Sequence, residues 1–281
     1  MTQSFGERLL ATFATSGHLC VGVDPHPYLL SDWGLADSAD GVREFGLRVV
    51  DAAAGRVGIL KPQVAFFERH GSAGFAALET VLAAAREAGL LVIADAKRGD
   101  IGSTAAAYGE AWLRPGSSLE ADAMTISAFQ GVGSLDEPIR LAREAGKGLF
   151  VLAATSNPQS IAPQSAVQNR GEFAGRSVAA SIVDEVNRSN HGALGSLGVV
   201  IGATVRLADY GISDSDLTAT PILAPGFGHQ GAGYDAISSV YGAAAPNLVV
   251  SSSRAILDAG VSGVADAIAT QAREIAEVFA A

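Results

Sequence analysis

In the stretch LLVIADAKRGDIG (90–102), Asp95, Lys97 and Asp100 follow directly on the apolar run 90–94. Ionised groups beside a core are costly unless they are paired. Such a cluster is either a neutralising ion-pair network with no further task, or a network that holds a lysine charged and fixed beside carboxylates aimed at a substrate. Asp95 and Lys97, at i and i+2, share one face of a strand. Lys61, in the run VGILKPQ, shares a face with Ile59 and is brought inward in the same way. Asp100 stands just before a helical segment that begins near Gly102, where the spacing serves an N-cap equally well.

A second constellation is GFGHQG (226–231). It has the G-x-G-x-x-G spacing of a dinucleotide loop, but only one apolar run follows and that run ends in no acidic residue, so a Rossmann half does not fit. A phosphate cradle fits better, with Gln230 donating an amide hydrogen bond and Arg254 a bidentate charged fork. His229 falls within this loop. The five histidines show no metal-ligand spacing, so no metal site is expected, and there is no nucleophile elbow or Walker loop.

The elements that must position these residues are short apolar runs at 18–24, 57–63, 90–96, 122–127, 148–156, 197–204, 221–228 and 247–254. Segments of helical spacing lie between most of them, at 36–54, 73–88, 103–114, 132–145, 171–189 and 232–243, and 260–280 closes the chain. Strict alternation predicts a parallel sheet with helical crossovers, and eight such units predict a (β/α)₈ TIM barrel in one domain spanning 1–281. In that fold the site lies at the C-terminal ends of the strands. The runs end in Asp24, Lys61, Asp95 with Lys97, Thr125 with Ser127, Thr155 with Ser156 and Asn157, and finally Ser253 with Arg254. The polar connection 155–169 holds two prolines and is too long for an ordinary βα loop, which marks it as functional or mobile.

Composition limits the partners. Of the 281 residues 48% are hydrophobic and 17% charged, an ordered globular make-up, and the net charge of −10 argues against broad binding to nucleic acid or anionic membranes. No stretch is long and apolar enough to span a membrane, and the N-terminal segment reads as an amphipathic helix, not a signal peptide. The lone cysteine, Cys20, allows no intrachain disulfide, which suits a reducing cytoplasm, and its apolar surroundings make it a buried filler.

Taken together, these residues resemble the orotidine 5′-monophosphate decarboxylase family. The likeness rests chiefly on DAKRGDIGST, similar to the family's D-x-K-x-x-D signature. VGVDP, LKPQVAFFERHG, ATSNP, PGFGHQG and SSSRAI support it, and the long loop after the fifth run resembles the branch with larger chains. The resemblance implies an enzyme that converts orotidine 5′-monophosphate to UMP without metal or cofactor. It implies that Lys97 stabilises and protonates C6, with Asp95 facing the departing carboxylate and Lys61 and Asp100 completing the charge network. Asp24 and Lys61 would meet the ribose, Ser156 the pyrimidine edge, and Gln230, Ser253 and Arg254 the phosphate side. It further implies a homodimer in which Asp100, Ile101 and Thr104 reach into the partner's site. Two alternatives stay open: a magnesium-dependent sugar-phosphate decarboxylase or aldolase on the same barrel, whose motif is similar, and a non-catalytic nucleotide-binding barrel.

Overall fold

The computed structural model describes residues 3–228 and 231–280. Eight parallel strands close a barrel in chain order: β1 (Leu19–Val23), β2 (Ile59–Pro62), β3 (Leu91–Arg98), β4 (Ala123–Ile126), β5 (Gly148–Ala154), β6 (Leu197–Ile201), β7 (Ile222–Pro225) and β8 (Leu248–Ser252). Both faces of these strands are buried, which is why the sequence shows continuous apolar runs and not alternation. Alternate residues point inward: Cys20, Ile59, Ile93, Ala123, Phe150, Val200, Leu223 and Val249 form the barrel interior. Their neighbours pack outward against the helices.

The helices are α1 (Phe5–Ser16), α2 (Pro27–Asp32), α3 (Ala39–Ala53), α4 (Val64–Glu68), α5 (Gly71–Glu87) and α6 (Gly102–Leu113) in the first half. The second half adds α7 (Asp136–Ala145), α8 (Ile161–Gln164), α9 (Val178–Arg188), α10 (Ala236–Tyr241), α11 (Arg254–Leu257) and α12 (Gly260–Ala280). Among the described residues no helix is long and apolar enough to cross a membrane.

The floor of the barrel is plugged by α1. Phe5 and Leu9 enter the interior cluster, and the Phe5 ring meets Phe150 edge to face at 5.9 Å. Two glycines make the room: a Cβ on Gly148 would lie 2.4 Å from the Phe5 ring, and one on Gly198 would lie 2.6 Å from Phe150. Arg8 on the same helix pairs with the buried Asp122 at 2.6 Å, and Asp122 and Glu120 share Lys147 at 3.5 and 2.8 Å. This second charge network lies at the end of the barrel away from the strand tips.

Three connections depart from a simple strand–helix alternation. The segment 171–189 is helical only from Val178. The residues before it return as a hairpin bridged at Val167 and Ser177, with Gly171 and Gly175 at positive φ, and Ser177 then caps α9. The loop after β5 carries a 3₁₀ turn, Pro158–Ser160, and the short α8. Between β6 and β7 two 3₁₀ turns, Leu207–Tyr210 and Asp214–Leu217, replace a crossover helix.

Candidate active site

At the C-terminal mouth of the barrel lies a cavity of about 720 Å³, within the range of small-molecule sites. Its two sides differ in chemistry. The strand ends from β1 to β3 bring charge and β4 brings Thr125, while Leu152, Val200 and Leu223 form an apolar wall from β5 to β7.

Asp95 is the centre of the charged side. It continues the inward face of Ile93 and is 8% exposed. Lys61, inward with Ile59, places Nζ 3.2 Å from one carboxylate oxygen, and Lys97 places Nζ 2.6 Å from the other. Thr125 on β4 donates to the latter oxygen at 2.8 Å and accepts from the Lys97 backbone N–H at 2.9 Å. The Lys97 contact is not the work of a regular strand. The β3–β4 register shifts between Ala94 and Arg98, and Lys97 has φ +48°, the one positive value outside glycine among the described residues. Non-glycine residues adopt that conformation at a cost and mostly where the fold demands it.

The electrostatics follow from this packing. Burial on its own would raise the Asp95 pKa; the Lys61 and Lys97 charges and the hydrogen bonds from Lys97 and Thr125 reverse that and lower it to about 2. Burial would likewise lower the Lys61 pKa, but Asp95, and behind it Asp24, hold it above the ordinary lysine value. Asp24 follows β1 directly and faces the cavity, and its Oδ1 is buried with no described hydrogen-bond partner. Such an acceptor awaits a donor.

Close approaches of backbone place the remaining polar groups. A Cβ on Gly22 would come 1.8 Å from Ser253 Oγ, so glycine there admits the Ser253 side chain to the mouth. A Cβ on Gly202 would come 2.9 Å from Ser156 Cβ, so glycine at the end of β6 lets the loop after β5 lie across it with Ser156 lining the cavity. That loop closes on itself through Gln164, whose Oε1 accepts from the Thr155 backbone N–H at 2.8 Å, and through Ser160 Oγ, which donates to the Thr155 carbonyl at 2.7 Å.

Arg254, first residue of α11, lines the mouth, and its guanidinium makes no hydrogen bond or ion pair with any described residue. Gly228 N–H donates to the Ala232 carbonyl and Gly231 N–H to the Gly228 carbonyl, both at 2.9 Å, so these two donors are already used. Gln230 and His229 lie outside the described residues.

The predicted residues that are described therefore fall into two groups. Lys61, Asp95 and Lys97 form one chain of contacts, and Asp24, Ser156, Ser253 and Arg254 line the same cavity. Asp100, Ile101 and Thr104 stand outside it. Asp100 accepts from the Ile101 backbone N–H at 2.8 Å and does not cap α6, while Ile101 is 58% exposed. Sequence reasoning passed over Gln63, His26 and Phe66, which also line the mouth. Gln63 stands two residues after Lys61 and His26 two after Asp24, so the same-face spacing applied to Asp95 and Lys97 would have flagged both. His26 packs edge-on against Phe66 at 4.3 Å, and burial, followed by the opposed charges of Asp24 and Arg254, leaves its pKa below the ordinary value.

The barrel and its lysine–aspartate centre now meet a matching family description. The model of the orotidine 5′-phosphate decarboxylase / HUMPS family matches residues 17–268. The chain belongs to this family. An orotidine 5′-phosphate decarboxylase of Salinispora arenicola (strain CNS-205) is 48% identical over 262 residues, covering 92% of this chain and 91% of the relative. One from Streptomyces coelicolor (strain ATCC BAA-471 / A3(2) / M145) is 50% identical over 260 residues, with 92% and 91% covered. A crystallised Streptomyces avermitilis homologue superposes with a TM-score of 0.93 at 47% identity, covering 100% of this chain and 97% of the other. The structure of Leishmania donovani OMP decarboxylase does so with a TM-score of 0.79 at 29% identity, covering 99% and 100%. Membership of the orotidine 5′-phosphate decarboxylase / HUMPS family thus extends over nearly the whole barrel.

Proposed function

We propose that this chain decarboxylates orotidine 5′-monophosphate to UMP, the closing step of de novo pyrimidine nucleotide synthesis, with Lys97 as the proton donor and no metal or organic cofactor. The observation that carries this reading is the Lys61–Asp95–Lys97 chain at the mouth of a barrel from this family. The C6–carboxylate bond breaks, CO₂ departs, and the electron pair stays on C6. An ammonium held at that carbon stabilises the developing charge and then gives up a proton to it. Asp95 keeps its charge in the site and anchors both lysines, with its own carboxylate facing the departing one. Because each of its oxygens is within reach of an ammonium, a divalent cation there would face two positive charges, which favours this reading over a magnesium-dependent lyase.

The rest of the cavity suits a nucleotide. Asp24 and Lys61 meet the ribose hydroxyls, Ser156 meets the pyrimidine edge, and Arg254 with Ser253 and Gln230 holds the phosphate. The apolar wall of Leu152, Val200 and Leu223 takes the flat base. Binding energy won at the phosphate, far from C6, is then available to the transition state. The surface position of Asp100, Ile101 and Thr104 supports a homodimer in which these residues complete the partner's site. The enzyme works as one barrel domain, in the cytoplasm.

The test follows the ultraviolet absorbance of orotidine 5′-monophosphate mixed with purified protein and excess EDTA, beside a Lys97→Ala control. Conversion by the wild type alone is the expected result. Activity on sugar phosphates that returns only with magnesium would overturn it.

A further inference from the structure

We propose that Gln63 is a positioning residue for Lys97, fixing the direction in which its ammonium presents a proton to the substrate. This rests on the reading of Lys97 as the proton donor. An ammonium has three N–H donors and no acceptor. In Lys97 one points to Asp95 Oδ1 at 2.6 Å and a second to Gln63 Oε1 at 3.4 Å. The Lys97 side chain is 46% exposed, so a single contact would leave the group free to turn about the line to Asp95. Two acceptors from different strand ends remove that rotation and leave the third N–H for the cavity.

The backbone around Gln63 is built to hold it there. Its N–H donates to the Val23 carbonyl on β1 at 3.1 Å, and the residue bridges to Asp95 on β3 as an isolated parallel pair. It occupies the N-cap of α4, yet its side chain makes no capping bond to that helix. The amide is thus left to the lysine, and because an ammonium can only donate, the amide must turn its oxygen toward it. One residue therefore reports the relative position of β1, β2 and β3 to the reacting group.

The experiment compares wild type, Gln63→Met, Gln63→Asn and Lys97→Ala for thermal midpoint, UMP affinity and single-turnover rate. Methionine keeps the length and shape without the amide; asparagine keeps the amide but is too short to reach. For both Gln63 variants the single-turnover rate should fall roughly tenfold or more, the scale of a small misplacement of a reacting group. UMP affinity should stay within about twofold of wild type, since the Gln63 amide is engaged with the Lys97 ammonium and not with the bound nucleotide. The inference is overturned if either folded variant keeps the wild-type rate, or if rate and UMP affinity fall together, which would make Gln63 a ligand contact. Should the methionine variant fail to fold, the asparagine variant decides. Turnover surviving in Lys97→Ala would sink the proton-donor reading itself, whereas a dead Lys97→Ala beside an unimpaired Gln63→Met would sink only the role of Gln63.

Discussion

Among single residues, Lys97 and Arg254 should fail in different ways. Lys97→Ala is expected to abolish turnover while UMP still binds, since the group lost is the proposed proton donor. Arg254→Ala should raise KM by about 10- to 100-fold, the value of a charge-assisted phosphate contact, with a smaller change in the chemical step. Steady-state and single-turnover kinetics on both variants distinguish the two patterns. Asp95 makes a prediction about pH. Its pKa is depressed to about 2, so the stability it contributes is present above the ordinary carboxylate value and drains away as the pH falls toward 2. The gap in urea midpoint between wild type and Asp95→Asn should be flat between about pH 5 and 8 and should narrow below about pH 4. Cys20 is fully buried, and burial pushes its thiol up to about 12. Iodoacetamide at pH 8 should label it only in denaturant, as mass spectrometry would show.

Whole elements were legible in proportion to how local their cause is. Seven of the eight strands lie within the apolar runs, and β3 overruns its own by two residues to Arg98, because a strand buried on both faces needs little but apolar residues in a row. The crossovers were harder. Within 171–189 the N-cap Ser177 marks where α9 begins, but the hairpin before it was not legible, since the Val167–Ser177 bridge joins residues ten apart and depends on the backbone turns at Gly171 and Gly175. The glycines inside strands were equally silent. Gly148 and Gly198 are required only because Phe5 and Phe150 arrive from elsewhere in the chain. Gly148→Ala should therefore cost about 1–3 kcal/mol by overpacking the barrel floor, measured as a shift in urea midpoint. Its KM should stay unchanged, because the cavity lies at the opposite end.

For the molecule as a whole the decisive question is whether one protomer holds a complete site. Asp100, Ile101 and Thr104 lie on its surface outside the cavity, and Phe129, at the start of the loop after β4, is 93% exposed. If the sites are shared, Asp100→Ala and Lys97→Ala proteins should each be inactive alone and regain activity on mixing, because a hybrid dimer rebuilds one intact site from the two undamaged halves. Activity that stays absent after exchange, with hybrids verified by native mass spectrometry, would place Asp100 within its own protomer's function.

The sequence by itself determined the barrel, through eight apolar runs with helical segments between most of them, and it named the lysines and carboxylates, because ionised residues at the ends of buried strands stand out against their surroundings. What it could not determine was how they meet. Regular strand geometry predicts that Asp95 and Lys97 share a face, but the 2.6 Å contact depends on a register shift and a positive φ at Lys97, with Thr125 from the neighbouring strand joining both. The same holds for Gln63, Ser156 and Ser253, whose places depend on bridges and glycine gaps between segments far apart in the chain. Residue type and local spacing are properties of the sequence. The direction of a side chain at a strand end is decided by whatever tertiary structure packs beside it.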